Sequence, residues 1–562
     1  MNSETQHLYQ SQRREKFRQT PLDGQALKKL IETGLTWLRT NQQTVNALNV
    51  YPVPDGDTGT NMVLTMQAAY DEIAGLAEYN VGKMAHAVAH GALMGARGNS
   101  GVILSQLWRG FARALDNQAF LDGASFVRAL AEARDTAYKG VVRPVEGTIL
   151  TVAKDLAAAA LETLQETDDT IVILERVVTA ADESVQRTPE LLEVHKKAGV
   201  VDAGGKGLFF ILEGMLRYID GKSLNIAVNI IQPLAAMNIK NTVVNIEPGQ
   251  DYEVVVDFKP EIPFNLEHFY RDLEKLGTSI QVGEGDGLYR MHIHVPTERL
   301  YEPIDYTKSI GVITKVAIEN LMAQMEDLEQ KAGGIRLNLT PVEPGQIAVV
   351  VVSPGPGIAR VFASLGAGAI VEGGQTMNPS TQEIIAAFEN LPTDKIIILP
   401  NNKNIILAAK AAAGLTVKKV AVAASRSVSQ GLAAMLRLVP DGDFEAVCAD
   451  MTEALQCVQS GEITTAIRNA EIDGVVVREG EIIALLNDEL VLSAPSLEAA
   501  CLGLLEKANA ADYELVTLFY GADLSKSEVN KIADLIRSAY TDLEIEVQEG
   551  GQPHYYFIIS IE

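Results

Sequence analysis

The spacing of apolar residues changes once along this chain, and that change constrains the fold more than any single motif. From Leu22 to about Ile219 apolar positions recur at helix spacing, as in the stripe Leu27, Leu30, Ile31, Leu35 and Leu38. The same period predicts helices over Val81–Met94, Val102–Leu115, Gly123–Tyr138, Leu150–Leu164, Ile171–Gln186 and Gly207–Ile219. Strand signals are nearly absent there, so this part reads as an all-α domain of about eight helices.

Past residue 240 the pattern breaks up. Tyr252–Phe258 and Tyr289–Val295 read as strands, with helices over Asn265–Leu276 and Thr314–Lys331. The implied order is β-α-β-β-α-β, a small α+β domain of ferredoxin-like type. From Ile335 short apolar runs (Gln346–Ser353, Lys395–Leu399, Lys419–Ala424) alternate with helices (Glu383–Asn390, Ile405–Ala413), which predicts an α/β domain with a parallel sheet. Gly474–Val477 and Glu481–Leu485 suggest a hairpin, and His554–Ile561 the last strand. The expected division is a disordered extension over 1–20, a helical domain over 21–222, a middle domain over 235–332 and a C-terminal domain over 335–562. A chain of 562 residues is too long for one core.

Composition narrows the function. A net charge of −26 excludes a general nucleic-acid binder, which needs a basic face. The three cysteines, Cys448, Cys457 and Cys501, form no CxxC pair and fit a reducing, cytoplasmic setting as small apolar residues. No apolar run reaches the roughly 20 residues of a membrane helix. The polar start, with Arg13, Arg14, Lys16 and Arg18, lacks the apolar core of a signal peptide.

Chemistry concentrates in three glycine-bearing segments of the helical part. The first is Asn49-Val-Tyr-Pro-Val-Pro-Asp-Gly-Asp-Thr-Gly-Thr-Asn-Met62. It sets Asp55 and Asp57 two residues apart among hydroxyls and an amide, the oxygen donors that suit Mg²⁺ and, through it, phosphate. Asp-Gly-Asp is also an ordinary turn, and Pro440-Asp-Gly-Asp443 repeats the tetrapeptide with no such company. An EF-hand loop counted from Asp55 would need its required residues at Gly59, Thr60 and Met66, and none fits.

The second segment, Gly95-Ala-Arg-Gly-Asn-Ser-Gly101, leads into a helix whose N-terminus suits an anion, with the Ser100 hydroxyl as a further donor. A plain interhelical turn explains it equally well. No Walker A pattern is present. The third, Gly199-Val-Val-Asp-Ala-Gly-Gly-Lys-Gly-Leu208, offers Asp202 either to a nucleoside or, more simply, as a helix N-cap.

Together these segments resemble the ATP-binding domain of the dihydroxyacetone kinase L-subunits, and over nearly the whole chain they resemble the catalytic-subunit family of bacterial fatty acid kinase. The resemblance implies an antiparallel eight-helix barrel holding ATP and two Mg²⁺ ions at one end. It places Asp55 and Asp57 as metal ligands, with Asn49 where the L-subunits carry another acidic ligand. Thr58, Asn61 and the Asn99-Ser100-Gly101 turn would contact phosphates, and Asp202 with Gly204 would lie near the nucleoside. Chemistry would be mostly electrostatic.

In the middle part, Met291-His-Ile-His-Val295 puts His292 and His294 on one strand face, suited to acid–base work or a metal, while Met291, Ile293 and Val295 face the core. Two exposed strand residues would be the simpler account. The family has a His-x-His here, often completed by a cysteine. This chain has none before Cys448, so Glu253 is the nearest polar candidate and the set falls short of a zinc site. The C-terminal loops Ser353–Gly357, Glu372–Asn378 and Asn401–Asn404 follow strands, where ligands commonly bind, although ordinary turns would also use their glycines.

By resemblance the C-terminal domain is DegV-like, with Gln430–Met435 another family-like stretch. It would dock a separate fatty-acid-binding DegV-like protein, whose fatty acid is phosphorylated to an acyl phosphate. Homodimerisation is compatible with the pattern. The rival readings are a kinase for a small hydroxylated substrate such as dihydroxyacetone, and a non-catalytic nucleotide-binding scaffold.

Overall fold

The computed structural model describes residues 13–15, 17–19, 22–50, 56–141, 143–224, 232–233, 251–261, 266–273, 275–285, 288–320, 339–375, 377–466, 470–472 and 474–562. Asp55 and the predicted helix beyond Asn320 lie outside them.

The helical part is built from α1 (Gly24–Thr40), α2 (Gln42–Leu48), α3 (Thr58–Ala74), α4 (Val81–Met94), α5 (Gly98–Ala114), α6 (Gly123–Gly140), α7 (Ile149–Leu164), α8 (Thr170–Leu191), α9 (Glu193–Ala198) and α10 (Ala203–Asp220). Side-chain caps start most of the long ones, from Asp23, Asn80, Asp122, Thr148, Asp169 and Asp202. Their apolar faces share one core, in which Trp37, Leu38, Met62, Met66 and Phe210 are buried. It encloses an apolar cavity of about 90 Å³ lined by Leu104, Trp108, Phe126, Leu156 and Ile211.

Part of the stretch expected to be disordered is helical. Arg14 meets both Asp220 and Glu175 at 2.6 Å, Arg18 meets Asp169 at 2.6 Å, and Phe17 stacks edge-on against Tyr218. The arginines read in the sequence as a solvated tail answer carboxylates of α8, its cap and α10.

Residues 227–336 form a separate compact unit. Its strands β2 (Tyr252–Pro260), β3 (Thr278–Gly285), β4 (Leu288–Val295) and β5 (Gly311–Asn320) lie in the order β3-β4-β2-β5, all antiparallel. The two-residue β1 (Gln232–Pro233) pairs in parallel with β3 at the edge. Helices α11 (Leu266–Leu273) and α12 (Glu302–Ile310) complete the unit. From β2 onward this is the β-α-β-β-α-β arrangement expected. The second helix, however, precedes the predicted position, and Thr314 lies in β5. The alternation Val312, Val316, Ile318 is that of an edge strand, and these three stay well exposed.

The C-terminal region joins the helical part in the other compact unit. Strands β6 (Ile347–Ser353), β7 (Ala369–Glu372), β8 (Lys395–Leu399) and β9 (Lys419–Val422) form an all-parallel sheet in the order β7-β6-β8-β9. The crossovers are α13 (Pro356–Ser364), α14 (Thr381–Glu389) and α15 (Ile406–Ala413), followed by α16 (Val428–Met435) and α17 (Phe444–Ala454). A second sheet follows, of β10 (Gln459–Thr465), β13 (Ile482–Leu486), β14 (Glu489–Ala494), β15 (Leu515–Tyr520), β16 (Glu544–Glu549) and β17 (Tyr555–Ile561), in the order β14-β13-β10-β17-β15-β16. Helices α18 (Leu497–Lys507) and α19 (Lys526–Ala539) cover one face of it.

The expected hairpin is two hairpins. Strand β11 (Ala470–Ile472) pairs with β12 (Val475–Val477), whereas β13 pairs with β14. Asn487 and Asp488 supply the positive-φ turn between the latter pair, which the sequence reading passed over.

Candidate functional site

Two Pro-Asp-Gly-Asp turns stand at helix starts and behave differently. Asp443 caps α17 by accepting the Ala446 N–H at 3.0 Å, and Asp441 accepts from Gln346 at 3.0 Å. This copy is a turn, as expected. Asp57 occupies the N-cap position of α3, yet its backbone is near the helical region (φ −111°, ψ −3°) and its side chain makes no capping bond. It is buried, and its Oδ2 accepts the Asn378 amide at 2.6 Å.

The three glycine-bearing segments converge on α3, which begins inside the stretch read as loop. Thr58 and Asn61 lie in its first turn, both buried. Thr60 is fixed by Asn46, which accepts its N–H and donates to its hydroxyl, both at 3.1 Å. Gly98 has φ +56°, and a side chain there would strike the Asn61 amide. A Cβ on Gly101 would lie 2.4 Å from Thr65 Oγ1, and one on Gly207 2.5 Å from the Met62 sulfur. Helices α5 and α10 thus lie close against α3.

Helix α5 starts at Gly98 without a side-chain cap, so its first N–H groups have no intrahelical acceptor. Ser100 is half-buried in this turn. The N-termini of α3 and α5 together present donors and positive dipole ends suited to an anion. Asn49, buried, ends α2.

Asp202 is the N-cap of α10, accepting the Gly205 N–H at 2.6 Å, and burial pushes its carboxyl up to about 7. His195 lies 3.6 Å from it, itself buried and pushed down to about 4. Gly204 packs on Ile149. The cap reading of Asp202 therefore holds.

Sequence reasoning missed that the C-terminal region closes on this end of the helical part. Arg97 donates to the Asn378 carbonyl at 2.9 Å and pairs with Glu383 at 3.0 Å; Thr381 N–H donates to the Ala96 carbonyl at 3.2 Å. Asn99, expected at phosphate, donates to Asn404 at 3.1 Å. Ala96 and Val102 lie in the apolar cluster of the parallel sheet, with Val350, Ile384 and Ile398. The loops Glu372–Asn378 and Asn401–Asn404 thus meet the second glycine segment. Ser353–Gly357 serves a turn, with the Gly357 N–H on the Gly550 carbonyl at 2.9 Å. Gln430–Met435 lies in α16.

In the separate unit both strand histidines are buried, which the sequence could not show. His292 Nδ1 lies 3.1 Å from Glu253 Oε1, and the two imidazole centroids are 5.0 Å apart. Met291, Ile293 and Val295 are fully buried on the opposite face. Burial, with His292 alongside, pushes His294 down to about 4, so it is neutral at pH 7. His292 Nε2 and both His294 nitrogens have no hydrogen-bond partner. Among the described residues no group of three or more His, Cys, Asp or Glu side chains is arranged to hold a metal ion. Glu253, His292 and His294 are no exception.

No helix among the described residues is long and apolar enough to cross a membrane. The helical domain and its glycine-bearing end define a kinase-type protein, matching the DAK2 domain over residues 52–217. Further matches are to the FakA-like middle domain of fatty acid kinases over 247–328 and to the FakA-like C-terminal domain over 348–562. The chain belongs to the FakA-like family of fatty acid kinases.

Among its relatives, Protein YloV of Bacillus subtilis is 38% identical over 551 residues, covering 96% of this chain and 99% of the relative. An uncharacterized Staphylococcus epidermidis protein is 38% identical over 550 residues, with the same coverage. Solved structures align with low scores. The DegV family protein Cg2579 of Corynebacterium glutamicum has a TM-score of 0.30 and 16% identity over 38% of this chain and 96% of that one. The dihydroxyacetone kinase of C. freundii with AMP-PNP and Mg²⁺ has a TM-score of 0.28 and 20% identity over 35% of each chain.

Proposed function

We propose that this chain is an ATP-dependent phosphotransferase that transfers the γ-phosphoryl group to a fatty acid carboxylate held by a separate fatty-acid-binding protein. One observation carries the reading. A buried Asp57, released from capping duty, stands where two helix N-termini meet, in a chain whose three regions all match kinase-family models. Its twin Asp443 shows what the same tetrapeptide does when it is only a turn.

The donor set fits Mg²⁺, which takes one or two carboxylates besides phosphate oxygens. Asp57 would hold it, with Asp55 and Asn49 assigned by family resemblance, and the ion would neutralise charge on the transferring phosphoryl group. N–H groups at the starts of α3 and α5, with Thr58, Asn61 and the Ser100 hydroxyl, would orient the phosphates. A carboxylate oxygen forms the new bond to phosphorus as the bond to the ADP oxygen breaks. The acceptor is already ionised at neutral pH, so this step asks for no general base. His292 and His294 are better read as ordering the middle unit than as proton carriers. Since the C-terminal loops facing the barrel are engaged, docking of the partner falls to other surfaces of that region.

The test combines the purified chain, Mg²⁺-ATP, a fatty acid and a fatty-acid-binding DegV-like protein, with acyl phosphate trapped by hydroxylamine. Asp57→Ala should lower product formation by roughly 100-fold or more while leaving the melting temperature nearly unchanged. No hydroxamate from wild type would sink the proposal, and phosphorylation of dihydroxyacetone in its place would favour the small-substrate kinase.

A further inference from the structure

The loop between β7 and α14 brings a buried amide to Asp57 from the far side of the chain. Asn378 is 2% exposed; its Nδ2 donates to Asp57 Oδ2 at 2.6 Å, and its Oδ1 is buried with no hydrogen-bond partner. A purely structural amide normally satisfies its oxygen as well as its nitrogen. Here an unsatisfied amide oxygen sits beside a carboxylate, away from solvent. Those are the hard oxygen donors a divalent cation takes.

We propose that Asn378 supplies an oxygen ligand to the cation site of Asp57, so that the phosphate-binding end of the helical domain is completed by the C-terminal region. The inference rests on the reading of Asp57 as a cation ligand. The loop is held for the task. Arg97 binds the Asn378 carbonyl at 2.9 Å and Glu383 at 3.0 Å, and Thr381 donates to Ala96 at 3.2 Å. Ala96 and Val102 anchor the same contact in the apolar cluster of the parallel sheet. Ligand and scaffold are thereby tied together, and cation affinity becomes a property of the assembled unit.

The test uses the full chain with AMP-PNP and Mn²⁺ as the probe, free Mn²⁺ being followed by electron paramagnetic resonance. Asn378→Ala should weaken Mn²⁺ binding about tenfold or more, a loss typical of damaged metal sites. Asn378→Asp, which keeps an oxygen donor, should restore the affinity or exceed it, with all variants melting as folded proteins. Unchanged or tighter binding by Asn378→Ala, or no recovery in Asn378→Asp, overturns the proposal; tighter binding would mark the amide as a competitor for Asp57. Asp57→Ala is measured in parallel. If it keeps full affinity, the underlying cation site falls. If it loses affinity while Asn378→Ala does not, only the role of Asn378 falls.

Discussion

His195 Nε2 stands 3.6 Å from Asp202 Oδ1, while Asp202 Oδ2 holds the Gly205 N–H at 2.6 Å at the start of α10. Burial perturbs the two groups in opposite directions. Asp202 is pushed up to about 7 and His195 down to about 4, so each favours its neutral form.

That pair gives stability two opposing pH slopes. The raised Asp202 contributes stability that is full below the unfolded carboxyl pKa and is lost as pH rises towards 7. The depressed His195 contributes stability that is full above the unfolded imidazole pKa and is lost as pH falls towards 4. Asn caps a helix as well as Asp does, so Asp202→Asn should gain melting temperature over wild type increasingly from pH 4 to pH 7. His195→Gln should gain over wild type increasingly from pH 6.5 to pH 4. Differences that do not vary with pH, measured by thermal unfolding, would show that neither group is held neutral.

Much of this fold was legible because it follows from local periodicity. Helix α4 and strand β8 lie where the apolar pattern put them, and the middle unit has the predicted order. The start of α3 was hidden because Asp57, Gly56 and Thr58 carry turn chemistry and the helix lacks a side-chain cap. At Thr314 a one-sided edge strand was taken for a helix. For His292 and His294 the alternation showed which face they share, but what buries that face is tertiary. The contact of Asn378 with Asp57 has no local signature at all. Two short polar stretches far apart in the chain meet only because Ala96 and Val102 join the core of the parallel sheet.

The three thiols should report the C-terminal packing separately. Cys457 is exposed, Cys448 is partly buried with its thiol pushed up, and Cys501 is fully buried with its thiol pushed further up. The thiolate is the reactive form, so both access and ionisation rank them alike. With a chromogenic disulfide reagent at pH 8, Cys457 should react fastest, Cys448 roughly tenfold or more slowly, and Cys501 only on unfolding. Three thiols titrating together without denaturant would contradict the core around Cys501.

Two glycines in neighbouring helices should respond oppositely to the same added methyl group. At Gly110 of α5 a Cβ would lie 2.3 Å from the Glu132 carbonyl oxygen and 2.6 Å from the Ala133 Cα, both backbone atoms of α6. Neither can swing aside, so Gly110→Ala must push the helices apart. The expected destabilisation is about 1–3 kcal/mol, large enough to outweigh the gain in helix propensity. Gly75, at the end of α3, has φ −88° and nothing within 4 Å of its would-be Cβ. There Gly75→Ala should stabilise the protein by about 0.4–1 kcal/mol by restricting the unfolded chain. Equilibrium denaturant unfolding reads both changes, and a neutral Gly110→Ala would show that α5 and α6 do not approach this closely.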